Sequence, residues 1–376
     1  MERREAVMNT VYVAETAAIS SLGDTLDEMW DGLTGGTSAV KKISRFPTDR
    51  LEFHEGGCIP WLDSPPAENR ISRLTRRLVD QLSTPPEGTY VIWTGIKGDV
   101  ELIEGSVETS CYLPAHYRKL VSSSLDIENN GMEINAACAS STVGLAMGAQ
   151  MIASGASSSV LICCADILSR FSFTGFSSLR GLSSTKCRPF DKERDGLVLG
   201  DGAAAILLTD EKTAGKYGYP LMARLSGWGI ANDANHITGP ARDARGLIKA
   251  IRSAMVQTAI SPDDLEAYCA HGTGTDYNDA MELTAVDSIF GSRPFPLFSV
   301  KGAIGHTLGA AGALEAAISI RAMAKKEAPL TTGFSIHEER TVGRVSAENQ
   351  PFGGNNILTT NSGFGGCNAA LLFEKA

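Results

Sequence analysis

Apolar residues along this chain gather into short runs, and between many of those runs the spacing of apolar positions changes to that of a helix. NTVYVAE, GTYVIWTG, MEINAA, SSVLICCA, GAAAILLT, LEAYCAHG, FPLFSVKG and NNILTTNSG read as short strands. LIKAIRSAMVQTAI and ALEAAISIRAMAKK read as helices set among them. Strands alternating with helices predict an α/β architecture. The adjacent Cys163 and Cys164 lie inside SSVLICCADIL, which reads as a buried strand carrying reduced thiols.

Two stretches share a pattern. MEINAACASSTVGLAMGAQMIASG and FSVKGAIGHTLGAAGALEAAISI each run from a strand, through small residues carrying one reactive side chain, into an Ala/Gly-rich helix. Duplicated halves would produce this pattern, and so would chance likeness between two Ala-rich helices. A charged, Gly-rich link ending in proline, Thr209 to Pro220, is the natural division. It separates an N-terminal half, residues 1–215, from a C-terminal half, residues 216–376.

The chain is 376 residues long, enough for one large domain or two fused halves. A formal charge of -9 argues against nucleic-acid binding, although an acidic partner stays open because docking depends on a local patch. No apolar run is long enough for a membrane span, and MERREAVMNTVYVAE lacks the apolar stretch and cleavage site of a leader. A cytoplasmic location is therefore expected. The eight cysteines include no CxxC and no Cys/His spacing suited to zinc, so no metal site is expected.

One of those cysteines has unusual company. In NAACASS, Asn135 to Ser141, Cys138 stands among residues too small to wall it in, and an Ala/Gly-rich helix follows. A helix start favours thiolate over thiol. Gly144 and Gly148 leave one helix face bare, so that other backbone can approach. CAHGTGTDYNDAMEL places His271 at the end of an apolar run, and KGAIGHTLGAAGALE places Lys301 and His306 at a second strand-to-helix turn. NSGFGGCNAALL surrounds Phe364 with glycines, a backbone able to aim an N–H at an oxyanion. Each feature alone also fits an inert thiol or a loop histidine. A thiol, two imidazoles and an oxyanion loop together describe acyl transfer.

These motifs resemble the condensing enzymes of the thiolase superfamily, in particular ketosynthases of the 3-oxoacyl-[acyl-carrier-protein] synthase II type. The likeness rests on ACASS, RPFDKERDGLVLGDGAAAILL, AHGTGT, KGAIGHTLGAAG and GFGG, and is strongest from about Met132 onward. It implies a five-layered αβαβα fold of two similar halves. It also implies decarboxylative Claisen condensation of an acyl thioester with malonyl carried on acyl carrier protein, in fatty-acid, polyketide or polyene synthesis. No cofactor is implied beyond the carrier's phosphopantetheine. Cys138 would hold the acyl chain, and His271 and His306 would donate to the malonyl thioester carbonyl. Lys301, paired with Glu315, would support that charge arrangement. The N–H groups of Cys138 and Phe364 would form the oxyanion hole, the Phe364 ring would gate the pocket, and Thr273 and Thr275 would touch the phosphopantetheine arm.

The resemblance also implies a homodimer, with a heterodimer of ketosynthase-like chains as the other arrangement. NRISRLTRRLVDQL places Arg73, Arg76 and Arg77 where the family has basic residues facing its acidic carrier, and residues three and four apart share a helix face. An ordinary solvated basic face has the same pattern. Departures are visible too. Asp276 and Tyr277 replace the usual Pro-Leu or Pro-Val after HGTGT, while Asp279 and Glu282 keep the pattern. The segment after WTGIKGD and the loop between Leu182 and Arg188 look trimmed, which bears on the acyl chain and partner. The alternative function is a non-catalytic chain-length factor or assembly partner, which would keep the fold and lose the nucleophile.

Overall fold

A computed structural model describes residues 8–64, 70–96, 98, 100–101, 114–128 and 130–376. Ten of its strands form one mixed sheet. In the first half these are β1 Tyr12–Ser20, β2 Tyr90–Thr94, β3 Gly131–Ile134, β4 Ser159–Asp166 and β5 Gly202–Thr209. The second half supplies β6 Ala223–Asn232, β7 Tyr268–Cys269, β8 Leu297–Phe298, β9 Asn356–Gly363 and β10 Cys367–Glu374. LEAYCAHG and FPLFSVKG thus keep only two strand residues each, because the chain turns early toward the site.

Across the sheet the order is β8-β7-β9-β10-β6-β1-β5-β4-β2-β3. Each strand of one half therefore has its counterpart five labels on. β2 runs parallel to β3 and β4, while β5 runs antiparallel to β4 and β1. β7, with β8 and β9, and β10, with β9 and β6, repeat those directions. The halves meet along β1 and β6, where Tyr12 opposes Arg224 and Val13 opposes Ala223. The two sequence segments of similar pattern occupy equivalent places, each leading from β3 or β8 to a long Ala/Gly-rich helix, the second by way of the short helix Lys301–Ile304.

Those helices are α3 Ser140–Ala153 and α7 Ala311–Lys325, preceded by α1 Arg70–Val79 and α2 Pro114–Ser124; α4 Arg170–Ser178, α5 Arg245–Met255 and α6 Asp276–Phe290 lie between them in sequence. α3 and α7 touch each other and strands of both halves, so they form the middle layer. α1 and α2 cover the outer face of the first half, and α5, backed by α6, covers that of the second. The result is the expected αβαβα stack.

Strand alternation builds this stack. Val91 and Trp93 face outward onto Leu74, Leu78 and Tyr117, whereas Ile92 faces the middle layer with Leu145 and Leu314. Cys163 and Cys164 divide in the same way between the outer and middle clusters, so the paired thiols point to opposite faces. Truncating such a side chain, Leu314 for example, costs about 2–5 kcal/mol. The bare face of α3 admits side chains rather than the expected backbone: a Cβ on Gly144 would lie 2.8 Å from Thr94 Cγ2. Close backbone approach falls instead at Gly312, where a Cβ would lie 1.9 Å from Thr142 Oγ1 and 2.9 Å from the Thr142 nitrogen. Gly312 thus seats the start of α7 against the start of α3. No helix among the described residues is long and apolar enough to cross a membrane.

Candidate active site

Cys138 sits two residues before α3, on a turn that its neighbours hold in place. Ala137 has a φ of 51°, a left-handed value that costs a residue with a Cβ. Asn135 Oδ1 accepts from the Ala137 N–H at 3.2 Å, and Ser140 Oγ donates to the Ala137 carbonyl at 2.6 Å. Ser140 Oγ also accepts from the Ala136 N–H at 2.9 Å. Small polar residues thus take up the backbone groups of the turn, and the thiol is carried into the interface of the two halves.

His271 follows β7, and its loop is fixed from below by two buried carboxylates of α6. Glu282 accepts from the His271 and Gly272 N–H groups at 2.7 and 2.6 Å, and Asp279 accepts from the Thr273 N–H at 2.9 Å. Burial raises both carboxyls, that of Glu282 to about 8 with a further push from Asp279. The Thr273 and Thr275 hydroxyls lie 2.9 Å apart above them. His306 is anchored through its backbone: its N–H donates to the Val198 carbonyl at 2.6 Å and its carbonyl accepts from Gly200 at 3.0 Å.

Behind the imidazoles lies a buried ionic network. The Lys301 ammonium donates to Glu315 Oε1, to the His271 carbonyl and, at 3.2 Å, to His271 Nδ1. Asn361 Nδ2 donates to Glu315 Oε2 at 2.7 Å and to His271 Nδ1 at 3.0 Å. Asn361 Oδ1 accepts from Thr142 Oγ1 at 2.5 Å. Two donors converge on His271 Nδ1, which must accept, so the neutral ring carries its proton on Nε2. Burial, then Lys301, then His306 hold the His271 pKa well below the usual histidine value. Burial and Lys301 do the same to His306. The rings meet edge to face, centroids 5.2 Å apart, and two neutral imidazoles can lie so close without charge repulsion.

Cys138, His271, His306, Thr273, Thr275 and Phe364 line one cavity of about 420 Å³. Lys301 and Glu315 lie behind it. Phe364 belongs to the loop joining β9 to β10; the residue is 38% exposed, and its ring centroid lies 5.5 Å from that of Phe176 on α4. A nucleophile, neutral hydrogen-bond donors and an aromatic at one cavity can bind a thioester, accept its acyl group and stabilise an oxyanion.

Arg73, Arg76 and Arg77 are not part of this cavity; they lie on α1 in the outer layer. Nor do they form one patch. Arg73 donates to the Trp61 and Ser64 carbonyls at 2.9 and 3.1 Å, which turns its guanidinium back onto the chain. Arg76 and Arg77 remain exposed, Arg77 beside Asp24 at 2.9 Å. Conversely, the motifs in the sequence assign no role to Asn361 or Thr142. The sequence offers little signal for Asn361, which shares ILTTNSG with Thr359, Thr360 and Ser362.

Comparison with known proteins agrees with this geometry. The pattern described as "Beta-ketoacyl synthase, N-terminal domain" matches residues 99–214, and "Beta-ketoacyl synthase, C-terminal domain" matches 222–335, together more than half the chain. The 3-oxoacyl-[acyl-carrier-protein] synthase 2 of Coxiella burnetii is 28% identical over 419 aligned positions, covering 100% of this chain and 99% of the relative. A beta-ketoacyl synthase crystal structure from Burkholderia phymatum superposes with a TM-score of 0.87 at 25% identity, covering 98% of this chain and 100% of the other. The ishigamide ketosynthase/chain length factor structure gives 0.86 at 25% identity with the same coverage.

Proposed function

The chain belongs to the beta-ketoacyl synthase family, and so to the acyltransferases, and from that premise we propose that it condenses an acyl thioester held on Cys138 with malonyl borne on acyl carrier protein. In the first half-reaction the Cys138 thiolate attacks the acyl carbonyl. The N–H groups of Cys138 and Phe364 receive the oxyanion, and the carrier thiolate leaves. Malonyl-carrier then enters, with Thr273 and Thr275 beside its arm. The bond to carbon dioxide breaks, and its electron pair forms an enolate whose oxygen accepts from His271 Nε2–H and from His306. The enolate carbon attacks the Cys138 thioester, Cys138 leaves as thiolate, and the lengthened 3-oxoacyl chain stays on the carrier. The Phe364 ring gates the cavity between the arrival of the acyl chain and that of malonyl.

The observation that carries this reading is the convergence of Lys301 and Asn361 on His271 Nδ1. It leaves a neutral N–H donor, which stabilises an enolate without protonating it. Arg76 and Arg77 are the residues offered to the acidic carrier. We further propose a cytoplasmic homodimer, with 215/216 as the division between its halves. Retention of Cys138, His271 and His306 in one cavity weighs against a non-catalytic chain-length factor.

Separating the half-reactions tests the mechanism. His306→Ala should still acylate Cys138, seen by intact mass, but lose carbon dioxide release by roughly a hundred- to a thousandfold. Cys138→Gln should lose acylation while malonyl-carrier still decarboxylates, because a side-chain amide imitates the acylated thiol. Condensation by His306→Ala near the parent rate would reduce His306 to a turn residue.

A further inference from the structure

Next to the cavity of Cys138 lies an open one of about 640 Å³; the two share His236, Gly239, Pro240 and Tyr277. The shared wall sets the outer cavity directly beside the inner. Its charged groups are Arg242, Asp243 and Arg245, and Asp276 stands at the inner side. Most of that charge is matched. Arg245 Nη1 faces Asp243 Oδ2 at 3.8 Å and its Nε donates to the Asp233 carbonyl at 3.0 Å; Asp276 faces Arg194 Nε at 3.9 Å. Arg242 differs, since among the described residues no carboxylate is its ion-pair partner, and its guanidinium lies over the Tyr277 ring, 5.8 Å from the centroid.

A second donor shares this wall. His236 Nδ1 accepts from the Thr238 and Gly239 N–H groups, both at 3.2 Å, so Nε2 carries the proton of the neutral ring. An unmatched guanidinium held on an aromatic face, with an imidazole N–H nearby, suits a tetrahedral oxyanion, because arginine presents a rigid fork of donors. Such a group belongs outside the inner cavity. A carrier arm that delivers its thioester to Cys138 has its phosphate at the opposite end.

We propose that Arg242, propped on Tyr277 and assisted by His236, binds the phosphate diester of the carrier arm. This rests on the carrier-linked reaction proposed above. It also gives a use to the Asp276-Tyr277 departure, since a Pro-Leu pair there would offer no aromatic face. The test compares malonyl-phosphopantetheine with malonyl-pantetheine, which lacks the phosphate, by carbon dioxide release. Arg242→Ala should raise KM for the first on the order of tenfold, the scale of a hydrogen bond to a charged group, and leave it unchanged for the second. Equal changes with both substrates, or none with either, would overturn the proposal. So would a change seen only with carrier-bound malonyl, which would place Arg242 against the carrier's surface instead. If the parent enzyme decarboxylates neither small substrate, the reaction assignment is at fault. Calorimetry with phosphopantetheine against pantetheine then still decides the phosphate site, tighter binding of the first being lost in Arg242→Ala if the site is real.

Discussion

Replacing Asn361 by aspartate changes one atom pair at the centre of the network. The amide Nδ2 donates to His271 Nδ1 at 3.0 Å and to Glu315 Oε2 at 2.7 Å. A carboxylate oxygen there can only accept. Toward His271 it replaces the nearer of two donors with an acceptor and, against Lys301 at 3.2 Å, draws the proton to Nδ1, leaving Nε2 bare in the neutral ring. Toward Glu315 it sets two carboxylates in contact, so one must take a proton or the pair must separate. Loss of the Nε2–H removes one donor from the enolate, which costs about 2.7–4 kcal/mol of transition-state stabilisation, or roughly a hundred- to a thousandfold in rate. Acylation of Cys138 uses other groups and should fall by less than about tenfold. The assay pairs intact-mass acylation with release of labelled carbon dioxide, and retained acylation shows that the variant has folded. Decarboxylation by Asn361→Asp within a few-fold of the parent would refute the tautomer argument, and with it the assignment of His271 as an N–H donor.

Three further outcomes are expected. Brief iodoacetamide treatment should label Cys138 first, because it lines the cavity while burial pushes the thiols of Cys58, Cys164 and Cys187 to about 12 and raises that of Cys367; equal labelling of Cys138 and Cys367 by peptide mapping would contradict this. Because His271 and His306 keep pKa values well below 6.5, carbon dioxide release should show no acid limb centred there. Below pH 6.5 the unfolded chain binds protons that the folded imidazoles refuse, which costs up to about 1.4 kcal/mol per histidine for each further pH unit, while the raised carboxyls of Glu282, Asp279 and Glu315 act in the opposite sense; the rings are therefore followed directly, and an NMR titration in which either imidazole protonates near pH 6.5 would argue against neutral, buried rings. Arg77→Glu should raise KM for carrier-bound substrates and flatten its salt dependence, with the pantetheine thioester keeping its KM; equal losses with both would mean a damaged fold.

The sequence was informative where a requirement is local. β4 is buried along its whole length, as an unbroken SVLICC run demands, and α7 falls on the segment whose apolar spacing is helical. Cys138, His271 and His306 were conspicuous because their sequence neighbours are too small to wall them in, although residues distant in sequence bury all three. Arg73 is the counterexample, because helical spacing gives the direction of a side chain but not what lies beneath it. The carbonyls that capture its guanidinium belong to Trp61 and Ser64, on a neighbouring turn.

By itself, then, the sequence determined the element types, the duplicated strand-to-helix pattern and the short list of reactive side chains. Each depends on periodicity or composition within about twenty residues, which is the range over which a pattern can be read. Only the tertiary structure decided that His271 carries its proton on Nε2. That choice needs Lys301 and Asn361, 30 and 90 positions away, to arrive at one ring nitrogen. It also decided that Arg242 has no carboxylate partner among the described residues and rests on Tyr277, 35 positions along the chain from it. Protonation states and unmatched charges depend on what surrounds a group in space, and the groups that decide these two lie in one half of the fold but far apart along the chain.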